Sequence, residues 1–412
     1  MKRVLIFALT YFPYTGGTAV AIKEITDRLP DIEFDMVTLR FDARLPRVER
    51  IGNVLVHRIG FVKKDVSTDD LYALPLHANK HWYQLWATFS AMRLHRHHPY
   101  HAIWAVMAHA AGIPAGLFRS FHDVPYLLTL QEGDPTDYVE RLMRPVWPLF
   151  RRAFTTADAL QAISGFLLAW GRRMGFRGEG EVVPNGVDFA RFSRRFSPEE
   201  MGLLRAKLGC GSQDTILVTT SRLAQKNGVD TIIEALGMLP ERVKLVVCGV
   251  GPLEQALAAR VEALRLGSRV TFLGEVPHAD LPLILAACDI FVRPSRSEGM
   301  GNSFIEAMAA GLPVIATQQG GLADFLFDRR RNPEKAPTGY AVDADAPGQI
   351  VGAVKQILDH PEERDEIRAN ARRLARSYDW AGIAGRMEQI LVRLMDKNSQ
   401  PSSRLAPTLP PR

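Results

Sequence analysis

The sequence predicts an α/β protein with two mostly parallel sheets, one in each of two domains. Short apolar runs rich in β-branched residues alternate with stretches whose apolar residues recur at helical spacing, as in parallel strands joined by helices. A strand, a glycine turn and a helix follow one another near the start of the chain, and the same order returns from residue 215 onward. The chain has 412 residues and is 47% hydrophobic, which is enough for two cores of ordinary domain size.

The first half of the chain contains the first predicted sheet. Its first strand is predicted at residues 4–9. Because Tyr-Phe-Pro at 11–13 interrupts this apolar run, we interpret it as a buried strand and not as a signal peptide. A glycine loop at residues 10–18 follows this strand. Gly16 and Gly17 are candidate phosphate contacts, because such a turn lets backbone amides approach a phosphate, but a tight turn without a ligand explains the two glycines equally well. The other predicted strands of this half are residues 34–39, 54–58, 102–107, 126–130 and 159–163.

The second half repeats this organisation around a longer motif. Its predicted strands are residues 215–220, 243–248, 270–274 and 289–292. The last of these strands leads into a loop with Gly299 and Gly301, which permit positive φ and close approach of a ligand to the backbone. A helix follows, and its first free N–H groups point back at the loop, so this loop favours an anion.

Two carboxylates bracket this loop. Glu298 lies just ahead of the helix and Glu306 one turn inside it, and each carboxylate can accept two hydrogen bonds from a vicinal diol. A ligand with sugar, phosphate and sugar would satisfy this arrangement. Taken alone, such a pair is more often a capping carboxylate and a solvated first-turn residue. Phe304 stands where a dinucleotide-binding fingerprint has its third glycine, which argues against a dinucleotide.

Composition narrows the choice of partners. The formal net charge of +6 favours anionic partners such as nucleotide diphosphates or a membrane surface. Nucleic acid is not predicted, because the sequence has no basic run interleaved with aromatics and no zinc spacing or recognition-helix pattern. Cys210, Cys248 and Cys288 are far apart beside apolar runs, which is typical of core residues in a reducing cytoplasm. No segment approaches the roughly 20 apolar residues of a spanning helix.

Residues 294–317 resemble the signature of a known family. They read P-S-x-S-E-G-x-G-x-S-F-I-E-A-M-A-x-G-x-P-V-I-A-T, and Gly320-Gly321 follows. This pattern is similar to that of the retaining glycosyltransferases of family 4, the glycosyl transferases group 1, which have the GT-B fold. The resemblance implies two Rossmann-like, doubly wound domains that face each other across a cleft.

The same resemblance implies where the domains lie. Residues 1–190 would form the acceptor-side domain, which closes with a V-P-N-G-V-D turn at 183–188. Residues 191–376 would bind the nucleotide sugar, and a last helix at 377–397 would cross back to the first domain. The proline-rich residues 398–412 have no apolar period and are predicted to be disordered.

The resemblance also implies roles for individual residues. Glu298 would hold the donor sugar and Glu306 the ribose, while Arg222 and Lys226 would offset the charge that builds on the departing diphosphate. The two cations match an R-L-x-x-x-K-G element with Asn227 inserted before the glycine. We therefore predict Glu298, Arg222 and Lys226 as the catalytic side chains. The other predicted donor contacts are Gly16, Gly17, Gly249, Gly251, Val276, Gly299, Met300, Gly301, Asn302, Ser303 and Glu306.

The acceptor side of the cleft departs from the family pattern. Gln131 stands where family members commonly place a histidine near the transferred sugar. Candidate contacts with the acceptor or the donor sugar are His109, Gln131, Glu132 and Asp134, each of which has an ordinary alternative as a loop residue. Two alternatives stay open: a sugar-nucleotide epimerase or hydrolase of the same fold, and a non-catalytic sugar-nucleotide-binding protein, which the missing histidine suggests.

The implied reaction transfers a hexose from GDP-mannose or a UDP-sugar to a glycan, a lipid-linked or another hydroxyl acceptor. The acceptor would attack on the face from which the diphosphate leaves, and no cofactor or metal is predicted. Asp343-Ala344-Asp345 matches the D-x-D of metal-dependent glycosyltransferases, but it follows a predicted strand end and such tripeptides arise easily by chance. His95, His97, His98 and His101 have no acidic or cysteine partner to complete a ligand set.

Residues from about 62 to 100 combine aromatic and basic side chains. An amphipathic helix of this composition lies on anionic lipid or packs on its own domain, and both interpretations stay open. The predicted location is the cytoplasm, with the inner face of the membrane as an added site of contact.

Overall fold

A computed structural model describes residues 1–14, 16–64, 66, 74 and 76–397, and of Lys397 the backbone alone. The tail predicted to be disordered, part of the aromatic and basic segment, and one residue of the first glycine loop lie outside the described residues.

The N-terminal domain contains a sheet in which the described residues form eight strands. Its strands are β1 (Lys2–Phe7), β2 (Ile32–Leu39), β3 (Val48–Ile51), β4 (Val54–Ile59), β5 (Ala102–Val106), β6 (Tyr126–Leu130), β7 (Ala159–Ala162) and β8 (Glu179–Val182). The order is β3-β4-β2-β1-β5-β6-β7-β8, and all neighbours are parallel except β3 and β4. The sequence did not predict β3 and β8, because these edge strands are polar and largely solvent-exposed on one or both faces.

Helices cover both faces of this sheet. They are α1 (Gly17–Thr26), α2 (Asn79–His97), α3 (Ile113–Phe121), α4 (Thr136–Leu142), α5 (Trp147–Thr155) and α6 (Gly165–Arg173), and the short α7 (Phe189–Phe192) follows in the segment between the domains. Their apolar faces and the strands between them belong to two buried clusters, one of which continues into the C-terminal domain. This is the doubly wound arrangement that alternating strands and helices predict.

The C-terminal domain has a smaller sheet that is parallel throughout its described strands. These strands are β9 (Thr215–Thr220), β10 (Val243–Cys248), β11 (Val270–Gly274), β12 (Ile290–Arg293), β13 (Val314–Ala316) and β14 (Tyr340–Ala341), in the order β11-β10-β9-β12-β13-β14. The helices are α8 (Pro198–Lys207), α9 (Val229–Gly237), α10 (Glu254–Ala263), α11 (Leu281–Ala287), α12 (Asn302–Ala310), α13 (Pro347–Asp359) and α14 (Pro361–Arg376).

The last helix, α15 (Trp380–Lys397), crosses back to the N-terminal domain, as predicted. Its apolar residues, including Ile383, Met387 and Leu391, join the cluster formed by β1 and α1. A bridge between Val187 and Asp379 fixes the start of the crossing. Burial of this apolar face against the opposite domain gives the helix its place.

The three cysteines are core residues, as the sequence predicts. Cys210, Cys248 and Cys288 are free and buried. Burial raises the pKa of the Cys248 thiol to about 12, so it stays a neutral core group. Among the described residues, no helix combines the length and apolarity needed to cross a membrane.

Candidate active site

The chain order of each sheet reverses at one point, and loops diverge there to leave a crevice. In the C-terminal sheet the reversal lies between β9 and β12, and in the N-terminal sheet between β1 and β5. Ligands of open α/β sheets bind beyond the carboxyl ends of strands at such points. The loop after β12 contacts the N-terminal domain here, because a Cβ added at Gly299 would lie 2.2 Å from the Glu132 carbonyl oxygen.

Arg293, the last residue of β12, organises the loop that follows it. The side chain is buried, its Nη2 donates to Glu298 Oε1, and its Nη1 donates to Ser303 Oγ at 2.6 Å. The guanidinium also lies 4.7 Å from the centre of the Phe304 ring. Burial lowers the pKa of Arg293 to about 10, which leaves it charged at neutral pH. One buried cation therefore connects the beginning of the loop to the start of α12.

Glu298, predicted to hold the donor sugar, is buried as the partner of this cation. Its Oε1 also accepts from Ser295 Oγ at 3.3 Å. A Cβ at Gly301 would lie 3.4 Å from Glu298 Oε2, so the glycine leaves access to that second oxygen. The carboxylate is thus held on one oxygen and accessible beside the other.

Glycines let this loop pack backbone against backbone. Gly301 has φ +83° and forms the N-cap of α12, a conformation that glycine adopts without strain. A Cβ at Gly320 would lie 2.0 Å from the Glu298 carbonyl oxygen, and one at Gly321 would lie 1.9 Å from that of Gly299. The Gly320-Gly321 pair is therefore needed to shape the loop.

The start of α12 offers the predicted anion site. No side chain of the described residues caps this helix, so the first backbone N–H groups, at Asn302 and Ser303, are left for another acceptor. Met300 is buried beneath the loop, and its Sδ accepts from the Asn185 N–H at 3.3 Å. Three of the predicted donor residues thus lie around one helix terminus.

Glu306 lies in the second turn of α12 and is more open than Glu298. Its side chain is 12% exposed, and its Oε1 lies 2.9 Å from Nε2 of His278. His278 follows Val276, the predicted base-binding residue, in the loop after β11. The ring of Phe192 packs against His278 with 5.3 Å between centroids.

The two predicted cations follow β9 on the neighbouring loop. Arg222 is exposed. Lys226 Nζ donates to the Gly133 carbonyl at 2.9 Å and to Asp134 Oδ1 at 2.8 Å, so it crosses to the N-terminal domain. The inserted Asn227 is buried, and its Nδ2 donates to the Arg222 carbonyl at 2.6 Å.

Gly249 and Gly251 pack closely against the loop that contains Arg222. Gly249 has φ +136°, and a Cβ there would lie 1.9 Å from the Ser221 carbonyl oxygen. A Cβ at Gly251 would lie 2.5 Å from the Leu223 carbonyl oxygen. Both glycines allow close packing on either side of Arg222. They position the loop of Arg222, and their own contact with the nucleotide stays a prediction.

Glu132 faces the interior of its own domain. It is 1% exposed, its Oε1 accepts from the Ala108 N–H at 2.6 Å and its Oε2 from the Gln131 N–H at 2.9 Å. His109 Nδ1 lies 3.4 Å from the same carboxylate. Next to these groups Met107 has φ +71°, a conformation that costs a non-glycine residue energy. This placement favours a role in holding the strained turn over direct contact with a sugar.

Gln131 takes part in a row of amides between the domains. Its Nε2 donates to Asn185 Oδ1 at 2.5 Å, and Asn185 Nδ2 donates to Asn302 Oδ1 at 3.1 Å. Gln131 Oε1 is buried with no hydrogen-bond partner among the described residues. The amide that replaces the family's histidine therefore joins the acceptor side to the first residue of α12.

Gly16 and Gly17 are exposed on the opposite wall. A Cβ at Gly17 would have Asn302 Nδ2 as its nearest neighbour, at 3.9 Å, and a Cβ at Gly16 would meet nothing within 4 Å. The start of α1 thus lies beside the start of α12 with room between them.

The sequence did not predict an individual role for three residues of this site, Arg293, His278 and Asn185. Arg293 has a detectable signal, because a charged residue ends an otherwise apolar strand. Asn185 was noted only as part of a turn. Nothing in the local sequence distinguishes His278 from a solvated loop histidine.

Side chains of the two possible metal-binding motifs form ion pairs or hydrogen bonds with other residues of the protein. Asp343 pairs with Arg331 at 2.9 Å, and Asp345 Oδ1 accepts from Arg296 Nε at 2.8 Å. His95 Nδ1 accepts from the Tyr100 N–H. The described part of the chain has no group of three or more His, Cys, Asp or Glu side chains placed to hold a metal ion.

Comparison with known proteins identifies the family in both halves. The model described as Glycosyltransferase Family 4 matches residues 15–191, and the model described as Glycosyl transferases group 1 matches residues 202–374.

Sequence relatives cover different shares of the chain. The putative teichuronic acid biosynthesis glycosyltransferase TuaC of Bacillus subtilis is 31% identical over 231 residues, 56% of each chain. The GDP-mannose-dependent monoacylated alpha-(1-6)-phosphatidylinositol monomannoside mannosyltransferase of Corynebacterium glutamicum is 30% identical over 258 residues, 58% of this chain and 64% of that protein. The match thus spans between half and two thirds of these relatives. The uncharacterized glycosyltransferase MJ1178 of Methanocaldococcus jannaschii is 23% identical over 94% of this chain and 97% of its own.

Solved structures share the whole architecture. Sucrose-phosphate synthase from Thermosynechococcus elongatus superposes with a TM-score of 0.81 at 21% identity, covering 96% of this chain and all of its own. Anabaena Alr3699/HepE in complex with UDP and glucose gives 0.74 at 21% identity, covering 95% and 100%. The fold is GT-B. With the signature around α12 and both family models in agreement, the chain belongs to glycosyltransferase family 4.

Proposed function

We propose that this protein is a retaining glycosyltransferase that transfers a hexose from a nucleotide-diphosphate sugar to a hydroxyl acceptor. The observation that carries the proposal is the arrangement around the start of α12. Two carboxylates, free helix N–H groups and two cations on the adjoining loop converge at the switch point of the C-terminal sheet. The names of the relatives support GDP-mannose as donor, and the UDP complex of a structural neighbour supports a UDP-sugar.

In this proposal the donor binds in one orientation, with its diphosphate, ribose and sugar each at a different part of the site. The diphosphate accepts from the first N–H groups of α12 and from Arg222 and Lys226, while Glu306 accepts from the ribose diol. Glu298 receives a hydroxyl of the transferred sugar at Oε2, because Arg293 and Ser295 already hold Oε1. Lys226 leaves Asp134 to reach the phosphate.

The chemistry follows from where charge develops. As the bond from the anomeric carbon to the phosphate oxygen breaks, negative charge builds on the diphosphate and is offset by the two cations and the helix terminus. The acceptor hydroxyl bonds to the anomeric carbon on the same face and gives its proton to the departing phosphate oxygen. No protein nucleophile takes part. The pairing of Glu298 with Arg293 and of Glu132 with backbone N–H groups supports this assignment.

The diphosphate is held without a metal ion in this proposal. The support is that each D-x-D carboxylate is paired with an arginine, and that Arg222 and Lys226 follow β9, the strand next to β12 in the sheet. Transfer should therefore persist in excess EDTA. Loss of activity that added Mg²⁺ or Mn²⁺ restores would contradict this part.

The main experiment screens donors and then follows products. A specific nucleotide sugar at 100 times its Kd should stabilise the protein by about 2.7 kcal/mol, which thermal-shift measurements with GDP-mannose and UDP-hexoses detect. With donor and acceptor present, NMR of the product should show the donor's anomeric configuration. Free sugar alone would indicate a hydrolase, an isomerised donor an epimerase, and binding without turnover a sensor; an inverted product would refute retention.

Two substitutions test the residue roles. Glu306→Ala and Arg222→Ala should each abolish transfer and leave the thermal unfolding midpoint unchanged, because both side chains act on the donor from the rim of the cleft. Turnover at the wild-type rate in either variant would contradict the assigned roles. Lys355→Ala, a change on α13 outside the cleft, is the matched control for loss of a long side chain.

We further propose that the outer face of α2 contacts a membrane and so brings the protein to lipid-linked acceptors. Trp82, Leu85 and Phe89 are 48%, 47% and 66% exposed and recur at helical spacing. Arg93 and Arg96 extend the same face and are exposed. Aromatic side chains next to cations favour the surface of anionic lipid.

Flotation with vesicles tests this contact. The full chain should float with vesicles containing anionic phosphatidylglycerol and much less with neutral phosphatidylcholine, and Trp82→Ser with Phe89→Ser should reduce flotation. Equal recovery of this double variant and the wild type with anionic vesicles would contradict the contact. Transfer to a water-soluble acceptor should be the same for both proteins.

A further inference from the structure

His278 is a candidate for a role that neither the sequence signature nor the relatives' names suggest. It lies in the loop after β11 and contacts two other parts of the protein. Its Nε2 is 2.9 Å from Glu306 Oε1 on α12, and its ring packs on Phe192 of α7. The imidazole is therefore fixed from two sides, although 45% of its side chain is exposed.

The hydrogen bond has a definite direction. A carboxylate can only accept, so Nε2 carries the proton and donates it to Glu306. This bond uses one of about four acceptor positions of the carboxylate. The remaining positions, including both of those on Oε2, are left for the two hydroxyls of a ribose.

Glu306 also has an attractive neighbour on its other side. The charge of Glu306 opposes the lowering of the Arg293 pKa by burial, so the two charges are close enough to interact. A flexible glutamate without a second partner would be drawn toward that buried cation and away from the cleft. His278 counters this pull from the solvent side.

We infer that His278 is a positioning residue that holds Glu306 ready for the ribose hydroxyls and so sets the affinity for ribonucleotides. The inference rests on the proposed function, since it assumes that a nucleotide occupies this site. His278 acts through Glu306. Phe192, buried in the segment between the domains, keeps the imidazole in line with the carboxylate.

Calorimetric titration with GDP, UDP and their 2′,3′-dideoxy counterparts tests this. His278→Ala should weaken binding of the preferred ribonucleotide about tenfold, as expected for loss of a charge-assisted hydrogen bond, and leave the dideoxynucleotide unchanged. His278→Gln, whose amide can donate to the same oxygen, should recover most of the affinity. His360→Ala, at the end of α13, is the control and should behave as the wild type.

A double variant separates positioning from direct contact. In a Glu306→Gln background, His278→Ala should cause no further loss, because its effect passes through the carboxylate. Additive losses, or equal losses for ribo- and dideoxynucleotides, would overturn the inference and leave the proposed function intact. A wild-type protein that binds neither GDP nor UDP would overturn both. Unfolding midpoints of all variants verify that each one is folded.

Discussion

The two walls of the cleft are held in shape by different means. The donor edge, residues 293–303, is held by the buried pair of Arg293 and Glu298 and by glycines that pack backbone to backbone. The acceptor edge, residues 107–109 and 131–134, is held by one carboxylate that accepts from backbone N–H groups. The donor edge is therefore stabilised largely by contacts among its own residues, whereas the acceptor edge is stabilised by few side chains.

This difference also separates the two glutamates of the signature. The sequence alone does not distinguish the surroundings of Glu298 and Glu306. In the structure, Glu298 accepts a hydrogen bond from the buried Arg293, whereas Glu306 is hydrogen-bonded to the exposed His278. A buried charge needs its partner for the domain to fold, whereas a carboxylate at the rim can be changed at little cost to stability. Variants that measure stability and activity together can test the contrast.

The largest effect is expected from breaking the buried ion pair. Glu298→Gln removes the carboxylate that is hydrogen-bonded to the buried Arg293, which should cost about 3–5 kcal/mol in the free energy of unfolding of the C-terminal domain. Urea unfolding measures this loss. Glu306→Gln, the matched control at the rim, should stay within about 0.5 kcal/mol of the wild type. Equal losses in the two variants would remove the distinction between the glutamates.

A compensating variant sharpens the result. Arg293→Met combined with Glu298→Gln removes both charges, so it should recover much of the stability lost by Glu298→Gln alone. Transfer should not return, because the carboxylate that receives a hydroxyl of the donor sugar is still missing. Recovery of both stability and transfer would show that Glu298 has no role beyond neutralising Arg293.

The next effect concerns the contact between the two edges. A Cβ at Gly299 would lie 2.2 Å from the Glu132 carbonyl oxygen, a backbone atom that cannot rotate away. Gly299→Ala should therefore hold the domains apart and lower kcat/KM by about 100-fold, as misplacement by roughly 1 Å does. Steady-state assays and the radius of gyration from X-ray scattering measure both consequences. Gly352→Ala, with nothing within 4 Å of the new Cβ, is the control.

The contrast between the edges explains what the sequence could predict. The alternation of apolar runs predicted most strands of both sheets, and the signature placed Glu298, Glu306 and the start of α12 together, because the donor edge is local in the chain. Contacts across the cleft were not predictable. Lys226 meets Asp134 from 92 residues away, and Asn185 meets Asn302 from 117 residues away.

The sequence also could not show which way a side chain faces. Glu132 was a candidate for contact with a sugar, but its carboxylate turns inward to satisfy N–H groups beside the strained Met107. Gly249 and Gly251 were expected at the nucleotide, and the structure shows close packing under the loop of Arg222. Residue types alone seldom reveal backbone strain or contacts made by the backbone.

A smaller effect is expected from the carboxylate of the acceptor edge. Glu132→Gln places an amide NH₂ opposite one of two backbone donors, at Ala108 or Gln131, so one buried N–H loses its acceptor. The expected cost is about 1–3 kcal/mol in the free energy of unfolding of the N-terminal domain. Urea unfolding followed by tryptophan fluorescence reports on this domain, which contains the buried Trp104 and Trp170. An unchanged midpoint would show that the turn does not depend on this carboxylate.

The smallest effect concerns the ion pair across the cleft. Lys226 is held by Asp134 at 2.8 Å, with side chains 31% and 49% exposed, so donor binding must displace an ion pair worth about 0.2–1 kcal/mol. Asp134→Asn should therefore lower the Kd for the nucleotide sugar by up to about fivefold, and the gain should shrink as salt screens the pair. Titration at 50 and about 500 mM NaCl measures both trends. Weaker donor binding in this variant would mean that Asp134 contacts the donor, as the sequence first suggested, and does not merely restrain Lys226.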